Sequence, residues 1–350
     1  MNKKLIASAM GLVMAGGMGL ANADVKIYGQ IDLSLLATDS DAAGFEDDIN
    51  MHSQNSAIGI KGTEDLGNGL SAFFQMEYES DIANGGNFGT GRDQFVGLKM
   101  ESFGKLTFGT TSTAYKSPGS KIDPFYRTPL QSRDVGLQSN LHSGKGEEGQ
   151  GRGTNMVRYD SPSLGGLGLT ATYQFDSNKG DGEDDDPYSV GLTFKGGGLY
   201  AAASYISTQQ NDDNAAAQIL ARYDIGDFSM HAIYEFDMGL ITAQGNNGFL
   251  AGLPRNGSAQ DDGADNYSIG ATYTIGNNLI GADWGQRIDG SNGVDGIAGT
   301  GDDIQEYDTW RIAAYHSFSK RTRVYAGYTN TDYDAKGEDE RIALGIRHNF

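Results

Sequence analysis

Residues 267–275 read Tyr267-Ser268-Ile269-Gly270-Ala271-Thr272-Tyr273-Thr274-Ile275, with apolar side chains at every odd position and small or hydroxyl-bearing ones between them. Successive side chains of a strand point to opposite faces, so this stretch carries one apolar face and one polar face. Two further stretches read the same way. Leu167, Leu169, Ala171, Tyr173 and Phe175 alternate with Gly168, Thr170, Thr172 and Gln174, and Phe228, Met230, Ala232, Tyr234 and Phe236 alternate with Ser229, His231 and Glu235. Helical heptads reach no comparable length. The chain is all-β.

Working outward, sixteen such segments appear, near 25–36, 57–64, 70–80, 92–100, 104–112, 154–161, 167–176 and 188–196, then 198–207, 216–225, 227–237, 265–275, 278–288, 307–317, 320–331 and 340–350. Every second connection is a short Gly, Asn, Asp or Ser turn, such as Leu66-Gly67-Asn68-Gly69, Gly196-Gly197-Gly198 and Gly276-Asn277-Asn278. These residues supply the positive-φ positions that close hairpins. The remaining connections are longer and mostly acidic. Short turns alternating with long loops predict an up-and-down antiparallel arrangement.

Composition agrees. Of 350 residues 52 are Gly and only 6 Pro, too much glycine for a helical protein. The glycines follow no three-residue period, which excludes collagen. The absence of Cys removes disulfides and thiolate metal sites, and a net charge of −20 argues against nucleic acid as a partner.

A soluble sandwich also alternates, but its connections are mixed in length and its strands shorter. Here many segments reach the ~9–11 residues that cross a bilayer with tilt, and their number is even. Aromatic residues recur near strand ends: Tyr28, Phe108, Tyr188, Tyr205, Tyr223, Tyr234, Tyr267, Tyr273, Trp284, Trp310, Tyr328 and Phe350. That pattern predicts interfacial girdles. A mean hydropathy of −0.45 is compatible, because a membrane barrel needs only its outer face apolar.

Residues 1–23 have the organisation of a signal peptide, with Lys3 and Lys4, an uncharged run from Leu5 to Leu20, and the small-x-small site Ala21-Asn22-Ala23. Cleavage is expected after Ala23, leaving residues 24–350 as the barrel domain. As a membrane anchor the run is too short, and Gly11, Gly16, Gly17 and Gly19 interrupt it.

Six pieces in order carry a family resemblance: Val25-Lys26-Ile27-Tyr28-Gly29, Gly59-Ile60-Lys61-Gly62-Thr63-Glu64-Asp65-Leu66-Gly67, Phe95-Val96-Gly97-Leu98, Phe103-Gly104-Lys105-Leu106-Thr107-Phe108-Gly109, Val157-Arg158-Tyr159-Asp160-Ser161-Pro162 and Leu344-Gly345-Ile346-Arg347-His348-Asn349-Phe350. Together they resemble the general trimeric diffusion porins of Gram-negative outer membranes, in the proteobacterial branch that includes the neisserial proteins. The resemblance covers essentially the whole chain after residue 23. It implies a sixteen-stranded transmembrane barrel, three per assembly, with short periplasmic turns, long extracellular loops and a third loop folded into the lumen. The terminal Phe350, preceded at two-residue intervals by Ile346, Leu344 and Ile342 but interrupted by His348, resembles the signal read by the outer-membrane assembly machinery.

The third loop is also marked by length. Residues 113–153 form the longest connection, and structureless loops beyond ~12–15 residues are usually functional or disordered. Pro118, Pro124, Phe125, Tyr126, Pro129 and Leu130 give it stiff and aromatic residues to pack, and Asp123, Asp134, Glu147 and Glu148 give it carboxylates. On the strands, parity places Lys26, Lys61, Lys105, Arg222, Arg287, Arg311, Arg323, Arg341 and Arg347 with the polar faces, where charge avoids a cost of ~2–4 kcal/mol against lipid. Arg92 and Arg158 match family positions of a basic ladder, although the parity of their strands is less clean. The expected constriction therefore sets Arg92 and Arg158, with Lys26 and Lys61, across the lumen from Asp123 and Asp134. Charges ringing a narrow passage sort ions and orient dipolar solutes.

Enzyme readings find little. Gly144-Lys145-Gly146-Glu147-Glu148-Gly149 matches a dinucleotide fingerprint literally but lies in a loop without a preceding strand or a following helix. The 5 His residues show no metal-ligand spacing. The acidic runs Asp39–Asp48, Asp181–Asp186 and Asp332–Glu340 suit solvated loops, with divalent-cation bridging to lipopolysaccharide as a further possibility, and Asp289–Asp303 lacks the EF-hand spacing. The reading is a passive channel for ions and small hydrophilic solutes, without cofactor, in lipid and lipopolysaccharide. The alternatives are a substrate-selective barrel and, from another class, an adhesin or surface protease working through the loops.

Overall fold

The structure, a computed structural model, describes residues 23–41, 47–87, 89–147, 149–175, 186–208, 214–241, 264–288, 306–334 and 337–350. Strands run in chain order as β1 (Ala23–Ser40), β2 (Asp48–Ser53, continued by Ala57–Gly67), β3 (Leu70–Glu79), β4 (Thr90–Met100), β5 (Gly104–Ser112), β6 (Arg152–Asp160), β7 (Leu167–Gln174) and β8 (Tyr188–Gly196). The second half is β9 (Leu199–Ser207), β10 (Ala215–Ile225), β11 (Phe228–Met238), β12 (Asp265–Ile275), β13 (Asn278–Ile288), β14 (Tyr307–Ser317), β15 (Thr322–Tyr333) and β16 (Gly337–Asn349). Each pairs antiparallel with the next, and β16 returns to β1 from Gln30↔Asn349 to Ser40↔Asp339. The sixteen-stranded barrel is closed, which leaves no edge strand unsatisfied in lipid.

Parity holds as the sequence predicts, and burial is inverted relative to a soluble protein. Ile269, Leu192, Ile312 and Leu344 lie on the outer face and are each more than half exposed, whereas Asn266, Thr309, Arg311 and Glu235 are wholly buried on the inner one. Aromatics form outer bands: Tyr234 stacks on Tyr267 at 5.9 Å, Tyr267 meets Trp284 at 5.7 Å, and Trp310 meets Tyr328 at 4.9 Å. Tyr28 departs from the expected girdle. It faces the lumen, donating from its hydroxyl to Glu77 at 2.9 Å.

The first two strands run further than expected. Leu33↔Ser53 through Thr38↔Asp48 pair in a region whose acidic composition reads as loop, because Leu33, Leu35 and Ala37 on β1 still lie opposite Ser53, Met51 and Ile49 on β2. Between the two parts of β2 lies a bulge in which three residues, Gln54 to Ser56, oppose two on β1. Asn55 sits there at φ 53°, a conformation asparagine tolerates better than most residues. Ser56 replaces the interrupted ladder, its hydroxyl accepting from Asp32 N and donating to Asp32 O at 3.0 Å each. A second register shift, where Met76 pairs with Gln94 and Tyr78 with Gly91, leaves Arg92 and Asp93 both opposite Glu77. That bulge is why simple alternation gives Arg92 no clean face.

The signal peptide falls outside the described residues except for Ala23, and so do Asp181 to Asp185 and Asp289 to Asp303.

Candidate pore constriction

The segment from Thr113 to Gly151 carries a short helix, α1 (Lys116–Ile122), and 3₁₀ turns at Ser132–Asp134 and Asn140–His142. Irregular backbone inside a barrel must find partners for its polar groups. The inner wall supplies them in sequence. Ser268 Oγ donates to Leu137 O at 2.7 Å, Tyr307 Oη to Gly136 O at 3.0 Å, Thr309 Oγ1 to Val135 O at 2.6 Å, Arg341 Nη1 to Asp134 O at 3.1 Å and Arg347 Nη1 to Tyr126 O at 3.1 Å. Arg311 donates to Leu130 O and Gln218 to Tyr115 O. The loop is thus seated inside the lumen, on an arc from β10 to β16.

Glu235 is the deepest anchor. One carboxylate oxygen accepts from Tyr115 Oη at 3.0 Å and Ser139 Oγ at 2.6 Å and lies 3.0 Å from His142 Nε2, while the other accepts from Ser139 N at 2.7 Å. Apolar contacts flank these bonds. Tyr115 and Leu141 pack with Ile206 and Ala216, Ile122 with Ala202, Leu220 and Ile233, and Phe125 and Leu130 with Ala313, Tyr325 and Ala343.

The side chains expected at the constriction separate into three groups. Arg92 is buried in the β3–β4 wall, held by Glu77 at 2.7 Å, Glu79 at 2.5 Å and Asn55 Oδ1 at 2.7 Å. Arg158 forks onto Asp160 at 3.0 and 2.7 Å and donates to Ser112 O and to Ser117 Oγ on the loop. Asp123 does not face either across the lumen. It lies under the loop, 3.2 Å from Arg311, and accepts from Phe125 N and Ser132 N, because the loop needs its carboxylate to close its own turn. Asp134 accepts from Gln54 at 2.8 Å, across to the β2 bulge. Lys26 and Lys61 face inward as cross-strand partners near the short-turn mouth, Lys26 beside Asp24 and Lys61 over the Tyr28 ring. The acids that meet Arg92 come from the wall.

Four cations that the opposing-wall scheme did not single out complete the group. Arg127 reaches Glu77 at 3.1 Å and Gln30 at 3.3 Å, Arg152 holds Asp93 at 2.7 Å, and Arg133 lies over the Tyr126 ring at 5.3 Å. Lys116 is buried, with Asp93 as the acid it feels and Arg133, Arg152 and Arg92 as neighbouring charges. Burial first, and then those arginines, push its amine well below the usual lysine range. For Tyr126 burial alone would raise the phenol, but Arg133, Arg127, Arg92 and Arg152 outweigh it and hold the group below its ordinary value. All four cations fall between 113 and 153 in the sequence; only the fold shows that they converge.

The glycine run at 144–149 lies in the returning limb, where Lys145–Gly146 pairs parallel with Arg152–Gly153.

A family model described as Gram-negative porin matches residues 7–336. An outer membrane porin of Bordetella pertussis is 28% identical, with 100% of both chains covered. Major outer membrane protein P.IB of Neisseria meningitidis serogroup B is also 28% identical over 100% of each. Among solved structures, the anion-selective porin from Comamonas acidovorans superposes with a TM-score of 0.71 at 19% identity, covering 94% of this chain and 100% of that one.

Proposed function

Since this chain belongs to the Gram-negative porin family and forms an outer-membrane channel for passive diffusion of ions and small hydrophilic solutes, we propose that its selectivity is set where the inward loop meets the β3–β6 wall. Arg92, Arg127, Arg133, Arg152 and Arg158 bound that passage with Tyr126, and Asp134 completes the rim on the loop. The observation that carries this reading is the convergence of cations on one passage, with Arg133 5.3 Å over the Tyr126 ring, Arg92 and Arg127 both on Glu77 and Arg152 on Asp93; the same arginines hold the Tyr126 phenol below its ordinary value despite burial. Most of these arginines share their charge with a carboxylate, so the preference for anions is weak. The Comamonas structure, named anion-selective, agrees in sign.

The rest of the biology follows from the same reading. Three copies assemble as a trimer, the short turns face the periplasm, and cleavage after Ala23 releases the barrel. The β16 face presents Ile342, Leu344, Ile346 and Phe350 to the assembly machinery, with Phe350 tied to Gly29 by backbone bonds of 3.0 and 3.1 Å. Lipopolysaccharide meets the acidic long-loop side through divalent cations.

The test is the reversal potential of purified protein in a planar bilayer under a potassium chloride gradient. A sign corresponding to chloride preference is expected; preference for potassium would reject the assignment.

A further inference from the structure

At the short-turn mouth, β14, β15 and β16 and the turn between β14 and β15 enclose a cavity of about 480 Å³. Four cations line it: Lys320, Arg321, Arg323 and Arg347. No carboxylate does, in a chain whose net charge is −20. A second cleft at the same mouth shows that this is not a general property of the turns, since Asp24, Asp65 and Glu101 line it with Lys99.

The basic pocket is built by the fold. Arg323 and Arg347 are direct cross-strand partners, an arrangement that repels unless something negative lies between them. Arg347 contributes charge only, since its nitrogens already donate to Asp32 at 2.8 Å and to Tyr126 O and Arg127 O, while Asp32 itself is outside the pocket lining. Arg323 has no salt-bridge partner among the described residues. Its guanidinium lies 4.8 Å over the Tyr315 ring, and its Nε is buried without a hydrogen-bond partner. The backbone around it is fixed, because Ser319 Oγ accepts from Arg321 N and Thr322 N at 3.1 Å each and Asn349 N donates to Arg321 O at 2.8 Å. Tyr315, Arg323, Arg347 and Asn349 lie on inward positions of their strands, so the cavity opens to the lumen.

We propose that this pocket binds small doubly charged oxyanions of the phosphate class, phosphomonoesters included, on the short-turn side of the channel. Guanidinium forks match the oxygens of phosphate, and the lysine adds a point charge. The volume falls within the range of small-solute sites and leaves room for a sugar-sized substituent beside the Tyr315 ring. The occupant is a solute, because the lining faces water. The pocket shares Arg347 and the Tyr315 ring with the seat of the inward loop, but among the described residues Lys320, Arg321 and Arg323 make no hydrogen bond to that loop, so a channel with no ion preference would still hold the site.

Titration calorimetry of the full-length protein in neutral detergent, with inorganic phosphate at constant ionic strength near neutral pH, tests it. One saturable site per chain is expected. The double substitution Arg321→Gln and Arg323→Gln should weaken binding about tenfold or more, the loss expected when charged hydrogen bonds are removed. Lys195→Gln, at the short-turn end of β8, should leave it unchanged. Should the double variant fail to fold, Lys320→Gln on the exposed turn provides the same comparison. Phosphatidylglycerol added to the micelles should not displace phosphate. Non-saturable heats, equal affinity in the variants, or displacement by the lipid headgroup would each overturn the proposal.

Discussion

Replacing Glu235 by alanine tests whether the inward loop is held by the wall or merely rests against it. The carboxylate is wholly buried and takes three contacts on one oxygen and one on the other, from Tyr115, Ser139 and His142. Hydrogen bonds to a charged group contribute about 1.5–3 kcal/mol each, and they are not additive. Leaving Tyr115 Oη and the Ser139 groups buried without their acceptor costs about 1–3 kcal/mol more for each, again short of additivity. Taking about 4 kcal/mol, the balance between seated and unseated loop moves by about three decades, at 1.4 kcal/mol per decade. The strand ladder of β11 uses no side-chain atom of Glu235, so the barrel should fold and keep its heat-modifiable mobility on gels. Single-channel recording should then show higher and noisier conductance than the parent. Because the Arg311, Thr309 and Arg347 contacts remain, the limbs at 113–122 and 137–146 should become protease-sensitive before residues 123–136. A folded Glu235→Ala barrel with quiet, unchanged conductance and an intact loop would refute the reasoning.

Neutralising Arg92 and Arg158 together should move the reversal potential toward potassium, since one unit charge about 4 Å from an ion in water is worth about 1 kcal/mol, or about fivefold in occupancy. Asp48→Asn at the exposed long-loop end should move it less, and mainly at low salt, because screening acts over about 8 Å at physiological ionic strength. Lowering the pH should strengthen anion preference as the depressed Lys116 amine gains its proton, and Lys116→Met should lose that component while keeping the part due to carboxylates. Leu192→Arg should cut folding yield, at about 2–4 kcal/mol for a cation against the lipid midplane, whereas Thr193→Arg beside it should fold; equal yields would reverse the assignment of faces. Mass spectrometry of exported protein should find Asp24 at the amino terminus, and retention of Met1 would exclude cleavage after Ala23.

Much of the barrel is legible in the sequence because a strand facing lipid on one side and water on the other cannot hide its period. The limits of β1 and β2 are not, since Asp39, Asp41 and Asp48 make a paired region look like solvent-facing loop. The site divides along the same line. Arg311 follows from parity and Arg158 from the family resemblance, and the seating of loop 113–153 follows from its length and apolar content. Arg92 needed the bulge opposite Glu77, which adds a residue and resets the alternation. Asp123 lies under the loop and not across the lumen, because sequence shows the charge of a loop carboxylate but not that its neighbours include the loop's own Phe125 and Ser132 N–H groups. The partners of Lys116 and Tyr126 are distant in sequence and meet only after the loop has turned back into the lumen.

Most of the bonds that hold the loop to the arc from β12 to β16 end on main-chain carbonyls, while the donors belong to Ser268, Tyr307, Thr309, Arg311, Arg341 and Arg347. Every amino acid brings a carbonyl. On this arc the filter can therefore exchange side chains that take no part in docking, keeping Asp123, Phe125 and Leu130 here and Tyr115, Ser139 and His142 on Glu235, whereas the barrel must keep its donors. Selectivity becomes a replaceable insert in a fixed socket: libraries for retuning permeability belong at 124–136, sparing the buried Phe125 and Leu130, and not on the strands beneath.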